Sequence, residues 1–491
     1  MSFRLTIITG LLLGAPSWAE ERVETGFIAR SNTAIDMAHD RDPEDLVETW
    51  TTWTGRAKGT SDTGRWYLSV TAEHQFLVGL CAYGGDVEGA WDFRPGESGI
   101  EKRVGPVHLR GGYLIERWGK LDMLSMVDVL NPRDMRAGPL GSLDDLRVPV
   151  PMGRLQTDLG PLRAELVATP IAPGTRSSLV GTDWSLLRQG MLSDFVEEAS
   201  GWRGDGFTDA LFQDALGALA DGLRDTEPAF RRGMSDAISQ VSDSQPRIAD
   251  GQLAVRLEAA APGVDGALMG GWLVSPTPAP ALDPILTTML QEERLPGLAD
   301  QGNLLSLASS PISAERPRTW MTGAEVGTTV GVLGVRAEGA WFSARPIPQQ
   351  WMGSENSPVV GGGLGIDWAH GSTVFIMAET RWEHLMTPPT APLLTSTDQV
   401  QSALSLQFSV LQSKLSLTNL ALYNWSFQEF MLRPQATWRA RDQVELSVGA
   451  LILDGPVDAV ASLQDAMTYT GGPLSYWSDN DSFTVGAAWI W

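Results

Sequence analysis

The groups in this sequence best placed to do chemistry are charged residues two apart on segments that read as β-strands. Arg163 and Glu165, Arg256 and Glu258, Arg336 and Glu338, and the run Glu379, Arg381 and Glu383 all show this spacing. In a strand, residues i and i+2 point to one face, so opposite charges on neighbouring strands can pair across the ladder. Two outcomes fit: a salt-bridge mesh that fixes the shape of an enclosed wall, or a charged constriction that selects ions or polar headgroups. Catalysis is not among them. The chain has no G-x-S-x-G elbow, no H-E-x-x-H, no Walker loop and no Gly-rich dinucleotide fingerprint. Its five histidines, His39, His74, His108, His370 and His384, lack metal-ligand spacing. The sequence therefore predicts no enzyme, no metal site and no cofactor.

A second cluster runs through Glu116-Arg117-Trp118-Gly119-Lys120-Leu121-Asp122 and then Asp128-Val129-Leu130-Asn131-Pro132-Arg133-Asp134. Pro132 fixes its own φ and pushes Asn131 to extended backbone, while Asp128, Arg133 and Asp134 offer charges that can meet Arg and Glu residues of a wall. Such a loop can fold inward. It is either a packed structural loop stapled by Asp–Arg pairs or one that narrows a pore and contacts substrate. Trp118, Gly119, Asp122, Asp128, Asn131, Pro132, Arg133 and Asp134 also carry a resemblance. They look like the signature W-G-x-x-D followed by D-x-x-N-P-R-D of a family of proteobacterial outer-membrane barrels classed as a domain of unknown function. The similarity covers about Thr25 to Trp491, with the specific motif confined to residues 116 to 134. Genes of that family often lie beside RND-type (MMPL-like) transporters and a periplasmic outer-membrane lipoprotein-sorting-like protein. The resemblance implies these as partners, and a role in moving hydrophobic or lipid-like molecules through the envelope.

The elements that must position these groups alternate with period two. At the C-terminus Phe483, Val485, Ala487, Trp489 and Trp491 fall on one side and Ser482, Thr484, Gly486 and Ala488 on the other. Val444, Leu446, Val448, Ala450 and Ile452 repeat the pattern, as do Trp66, Leu68, Val70 and Ala72. Read this way, the chain holds about eighteen strands. Short connections such as Leu159-Gly160-Pro161, Pro262-Gly263-Val264 and His370-Gly371 alternate with long ones at 119–146, 173–249, 276–317, 345–357, 385–399 and 454–480. A soluble sandwich has no reason to obey that rhythm. The expected fold is all-β: a transmembrane antiparallel β-barrel in the bacterial cell outer membrane, in contact with outer-membrane lipid and lipopolysaccharide. Trp50, Trp66, Tyr113, Trp320, Trp382, Tyr423, Trp425 and Trp438, near strand ends, would form aromatic girdles.

Composition agrees. Only 19% of residues are charged, yet 59 Asp and Glu against 36 Lys and Arg leave a net charge of -23, which excludes nucleic acid as a partner. No apolar run approaches the ~18 residues of a spanning helix. The single cysteine, Cys81, cannot form an internal disulfide. Residues 1–19 read as a signal peptide: a short start with Arg4, an apolar stretch from Leu5 to Gly14, and Ser17-Trp18-Ala19 before the cut. The barrel then spans 20–491 and includes a helical insertion at 173–249. In that insertion Phe207, Leu211, Leu219 and Leu223 make an apolar stripe at helical spacing, suited to a lid or plug, an outer cap, or a partner-docking element. A shorter helix is expected at about Asp283 to Arg294. Trp491, closing the last strand, looks like the C-terminal signal read by the barrel-assembly machinery. The function expected is a channel, or the outer-membrane part of a transport route for hydrophobic or amphipathic molecules. The alternatives are a general diffusion porin for small polar solutes and a structural or adhesive surface barrel.

Overall fold

The computed structural model describes residues 22–36, 47–61, 64–78, 87–136, 138, 146–176, 184, 250–277, 279–282, 284–293, 312–457, 460 and 462–491. The signal-peptide segment and the stripe at Phe207, Leu211, Leu219 and Leu223 lie outside these residues. Within them, each long strand pairs antiparallel with its neighbours in chain order. The strands are β1 (Arg22–Asp36), β2 (Val47–Ser61), β3 (Gly64–Val78) and β4, whose two segments Val87–Pro95 and Ser98–Val104 both pair with β3. Next come β5 (Val107–Leu114), β6 (Val150–Leu159), β7 (Leu162–Thr169), β8 (Gln252–Ala261) and β9 (Val264–Val274). They are followed by β10 (Arg318–Val330), β11 (Leu333–Gln349), β12 (Gly353–His370), β13 (Val374–Leu385) and β14 (Asp398–Val410). The last four are β15 (Leu415–Asn424), β16 (Glu429–Arg441), β17 (Val444–Asp454) and β18 (Ser482–Ile490).

The eighteenth strand returns to the first. Ile28 faces Ile490 and Asp36 faces Ser482. Beyond that ladder, the Phe27 N–H donates to the Trp491 carbonyl and the Trp491 N–H to the Phe27 carbonyl, each at 2.8 Å. The sheet closes on itself, which is the condition for backbone to sit in hydrocarbon, although among the described residues the segment Val87–Pro95 pairs on its β3 side alone.

The two faces of the wall follow the sequence alternation. Leu68, Val70, Leu166, Val255, Leu268, Val326, Ile366, Leu404, Val448 and Val485 are all exposed on the outside. An apolar surface this extensive is unstable in water and stable against lipid tails. Tyr113, Trp320, Trp382, Trp425 and Trp438 are exposed near strand ends, as girdle residues should be. Trp50 is not one of them: it stands opposite the inward-facing Asn32, and the Arg136 guanidinium stacks 5.6 Å from its ring inside the barrel. An even-numbered, closed, antiparallel barrel with an apolar belt and short turns at one end is a bacterial outer-membrane barrel.

At the long-loop end, β11 and β12 run past the belt and are joined by only the three residues Gln350–Met352, where a long connection at 345–357 is expected from the sequence. Pairing resumes after an irregularity between Phe342 and Arg345 and continues to Gln349 opposite Gly353. Helices Pro284–Glu292, Leu463–Thr468 and Pro473–Tyr476 sit at this end. Met352, Leu393, Leu463, Met467 and Tyr476 bury one another there in a small cap core, with Leu290 against it. The first of these helices falls within the expected span at 283–294.

Candidate functional site: a loop clamped inside the barrel

Residues 115–136 leave the end of β5 and fold against the inner wall. The wall makes room for them: Gly361, Gly363 and Gly365 on the lumen face of β12 form a track without side chains. A Cβ on Gly363 would stand 2.5 Å from Leu121 Cδ1, and one on Gly365 would stand 2.7 Å from Leu121 Cδ2. Leu114, Trp118, Met126, Val127 and Leu130 pack into a dry core with inward residues of the wall, among them Val150, Val167, Met269, Met321, Phe342 and Val359.

The polar half of the attachment is a carboxylate clamp. Glu325 and Glu338 lie opposite each other on β10 and β11, where like charges repel. Loop amides and one arginine offset that repulsion. The Gly119 N–H donates to Glu325 at 2.8 Å, and Arg256 pairs with the other Glu325 oxygen. Glu338 accepts from the N–H groups of Lys120 at 3.1 Å, Leu121 at 3.3 Å and Met126 at 2.5 Å. Glu379 accepts from Asp122 at 2.8 Å and from Met123 and Leu124 at 3.0 Å each. The Trp118 indole N–H donates to Glu165 at 2.8 Å, and Arg154 holds the other Glu165 oxygen at 2.6 Å. Hydrogen bonds to a buried carboxylate are among the stronger ones available to a backbone.

The motif residues each have a place. Asn131 ties the feet of the loop together: its Nδ2 donates to the carbonyls of Leu114 and Val148, and its Oδ1 accepts from the Glu116 N–H, all at 2.9 Å. Pro132 is buried beside it, and its carbonyl accepts from the Val148 N–H at 2.9 Å. Asp128 is held by Arg147 at 2.5 Å, with Arg133 farther off at 3.9 Å. Burial lowers the Arg133 pKa from its ordinary value, against the pull of Asp128. Asp134 gathers Arg94 of β4 and Arg136 of the loop itself at 2.7 Å each, and Arg176, beyond the end of β7, at 3.5 Å. Burial works to raise its pKa, but these arginines hold it at about 2. Burial pushes the Glu116 carboxyl above its usual range, against Arg154 and Arg110.

The remaining charged residues divide. Arg336 donates to the Lys120 carbonyl at 2.7 Å and to Asp122 at 2.6 Å, and it lies 3.2 Å from Asp367, so it braces the loop. Glu383 meets Arg345 at 3.0 Å and Arg381 at 4.0 Å. Glu258 accepts from Arg256 at 3.1 Å. Arg163 stands apart: although opposite Glu258 in register, it is exposed and bonds Asp158 at 3.2 Å, beside a cavity of about 730 Å³ at the short-turn end. Sequence reasoning missed Glu325, Arg147, Arg154 and the Glu73, Asp92, Arg94, Arg136, Arg176 cluster. The signal for Glu325 was a lone charge among Met321, Gly323 and Gly327 on one strand face.

The loop covers one side of the lumen only. Among the described residues its anchors end at β13, and the wall from β14 to β18 keeps inward Gln399, Gln401, Ser405, Thr437, Ser447 and Thr484. Higher on that wall, toward the long loops, the lumen face turns apolar: Leu420, Leu422, Met431, Leu451 and Leu453 pack with Trp184 and Trp477. The arrangement is a lumen with the loop along one side and a polar wall along the other, closed over at the long-loop end by a buried apolar cluster.

No family model and no curated protein matches the chain. Among solved structures, OccAB1 of Acinetobacter baumannii aligns over 96% of each chain at 8% identity with a TM-score of 0.48. OccK7 (OpdD) of Pseudomonas aeruginosa aligns over 96% of this chain and 98% of its own at 7% identity with a TM-score of 0.45. A mutant Rh. blastica porin aligns over 96% and 100% at 8% identity with a TM-score of 0.38. Likeness at this level does not carry over a substrate or a mechanism, and the barrel's own closure and exterior decide its class.

Proposed function

We propose that this barrel is an outer-membrane channel for amphipathic or hydrophobic molecules, with loop 115–136 setting the width of its passage. The observation that carries this reading is the apolar cluster on the lumen face of β15–β17 at the long-loop end, where Leu420, Leu422, Met431, Leu451 and Leu453 pack with Trp184 and Trp477 and put greasy rather than polar contacts across the mouth. The motif between Trp118 and Asp134, which resembles that of the outer-membrane family described above, supports placing the barrel in an envelope route. In that route it works with an RND/MMPL-type transporter and a periplasmic lipoprotein-sorting-like protein, within lipid and lipopolysaccharide.

The polar lower wall, with Gln399, Gln401, Ser405 and Thr437, favours a second reading, a diffusion porin for small polar solutes. Proteoliposomes separate the two. Protein-dependent transfer of a fluorescent fatty acid with slow swelling in arabinose is the expected result. Fast swelling without fatty-acid transfer assigns the barrel to the porin class, and neither activity leaves it a structural role.

A further inference from the structure

The outer face of β14–β18 departs from the rest of the belt. Phe408, Leu417, Val448 and Phe483, all exposed, flank a groove of about 470 Å³ whose floor is Asn419, Pro434 and Ala450. Register places these floor residues on the lipid side, since Asn419 is opposite Pro434 and Ala450 is opposite the outward Phe483. Thr418 and Gln435, which belong to the lumen face, also line it, so the groove cuts into the thickness of the wall.

Beneath the groove the ladder is broken. β16 and β17 pair at Leu432 opposite Ile452 and again at Gln435 opposite Gly449, but the two pairs between, at Arg433 and Pro434, are missing. Proline has no N–H to give and is normally confined to sheet edges, which a closed barrel lacks. Asn419 adds a second anomaly. Its Oδ1 is shut off from solvent and has no hydrogen-bond partner among the described residues. A carboxamide facing hydrocarbon with an unmet acceptor is costly unless something donates to it. On the lumen side of these same strands lies the apolar patch of Leu420, Leu422, Met431, Leu451 and Leu453.

We propose that this groove is a lateral binding site for a single-chain amphiphile from the surrounding bilayer. Its tail lies between Phe408, Leu417, Val448 and Phe483, and its hydroxyl or protonated carboxyl turns into the seam at Pro434, where the Asn419 carboxamide rotates to bring its unmet, covered Oδ1 to the donor. The site opens on the lipid belt, so the bilayer supplies its occupant, and its volume falls in the range of small-molecule sites. This inference rests on the reading of the barrel as a channel for amphipathic molecules, and it names the side entrance through which such a molecule meets the lumen.

The test uses the full-length protein in dimyristoylphosphatidylcholine vesicles with a diazirine-bearing stearic acid, followed by peptide mapping. Labelling should concentrate on 415–424, 429–441 and 444–454 and be competed by unlabelled stearate, whereas labelling at the control face of 252–261 should not be. Ala450→Trp, which fills the floor, should abolish the competable fraction. Asn419→Leu, which keeps the shape and removes the acceptor, should weaken stearate competition roughly three- to tenfold, the worth of one hydrogen bond. It should leave competition by methyl stearate, which has no donor, unchanged. Uniform, uncompeted labelling around the belt, or competition unaffected by Ala450→Trp, overturns the site. Ala450→Trp should still run as a heat-modifiable folded barrel, so loss of the competable fraction cannot be laid to misfolding. If wild-type protein neither conducts nor transfers fatty acid while competable labelling persists, the channel reading fails and the site stands.

Discussion

Glu379→Gln tests whether the carboxylate clamp sets the pore. In the native loop, Glu379 Oε1 accepts from Asp122 while Oε2 accepts from Met123 and Leu124. A glutamine can place its one oxygen at either site, and its NH2 then faces an amide donor at the other. At least one charge-assisted bond is lost, worth about 1.5 to 3 kcal/mol. At ~1.4 kcal/mol per factor of ten, the detached loop becomes roughly ten- to a hundredfold more populated. Adding Glu338→Gln removes a second anchor, though residues sharing one loop do not add simply. In planar bilayers the variants should leave the native conductance level for a larger one, more often in the double variant, and trypsin should gain access to Lys120. Channel records and trypsin resistance identical to wild type, with a heat-modifiable barrel still formed, would refute the clamp as the determinant of pore width.

Asn131→Ala should lower the urea midpoint of the barrel by leaving the Leu114 and Val148 carbonyls and the Glu116 N–H unmet, at about 1 to 3 kcal/mol for each buried group. Asn131→Asp should be worse, since it turns a carboxylate toward two carbonyls; Trp118 fluorescence follows both. Because the Asp134 pKa is depressed to about 2, its contribution is present above the ordinary value of ~3.9 and is lost as pH falls from there through 2. Conductance and Trp50 fluorescence should therefore hold from pH 7 to about 4 and change below it, and a transition already at pH 6 would point to another group. Trp491→Lys should reduce the yield of folded barrel in cells but not its melting temperature. The main-chain bonds to Phe27 do not need the indole, which is exposed and available to the assembly machinery; a lowered melting temperature would place its role in the fold.

The wall was legible because period two is a property of the side chains. Alternation placed Glu165, Arg256, Arg336, Glu338, Glu379, Arg381 and Glu383 on the lumen face, and short turns such as Gly160-Pro161 marked the strand ends. What those carboxylates hold was not legible. Glu338 and Glu379 take mainly backbone N–H groups of the loop, and every residue but proline supplies one of those. Arg163 was misleading for a related reason: register sets it opposite Glu258, but near the turn it reaches Asp158 in solvent, where exposed pairs contribute little. Trp50 went astray because indoles serve lipid interfaces and cation stacking equally well.

The clamp and the lateral groove belong to opposite sides of one barrel, and mechanics accounts for the division. Along β7 to β13 the wall is backed by the loop: separating strands there would break the amide bonds to Glu325, Glu338 and Glu379 and expose the core around Met126 and Val127. A gap in that half would cost the ladder and the clamp together. Along β14 to β18 the described residues of the loop make no anchor, and the ladder is already interrupted at Pro434. If the proposed side entrance exists, this half is where the wall can yield, because among the described residues only the apolar packing with Trp184 and Trp477, and not the carboxylate clamp, backs it. The proline and the lipid-facing asparagine lie in that half.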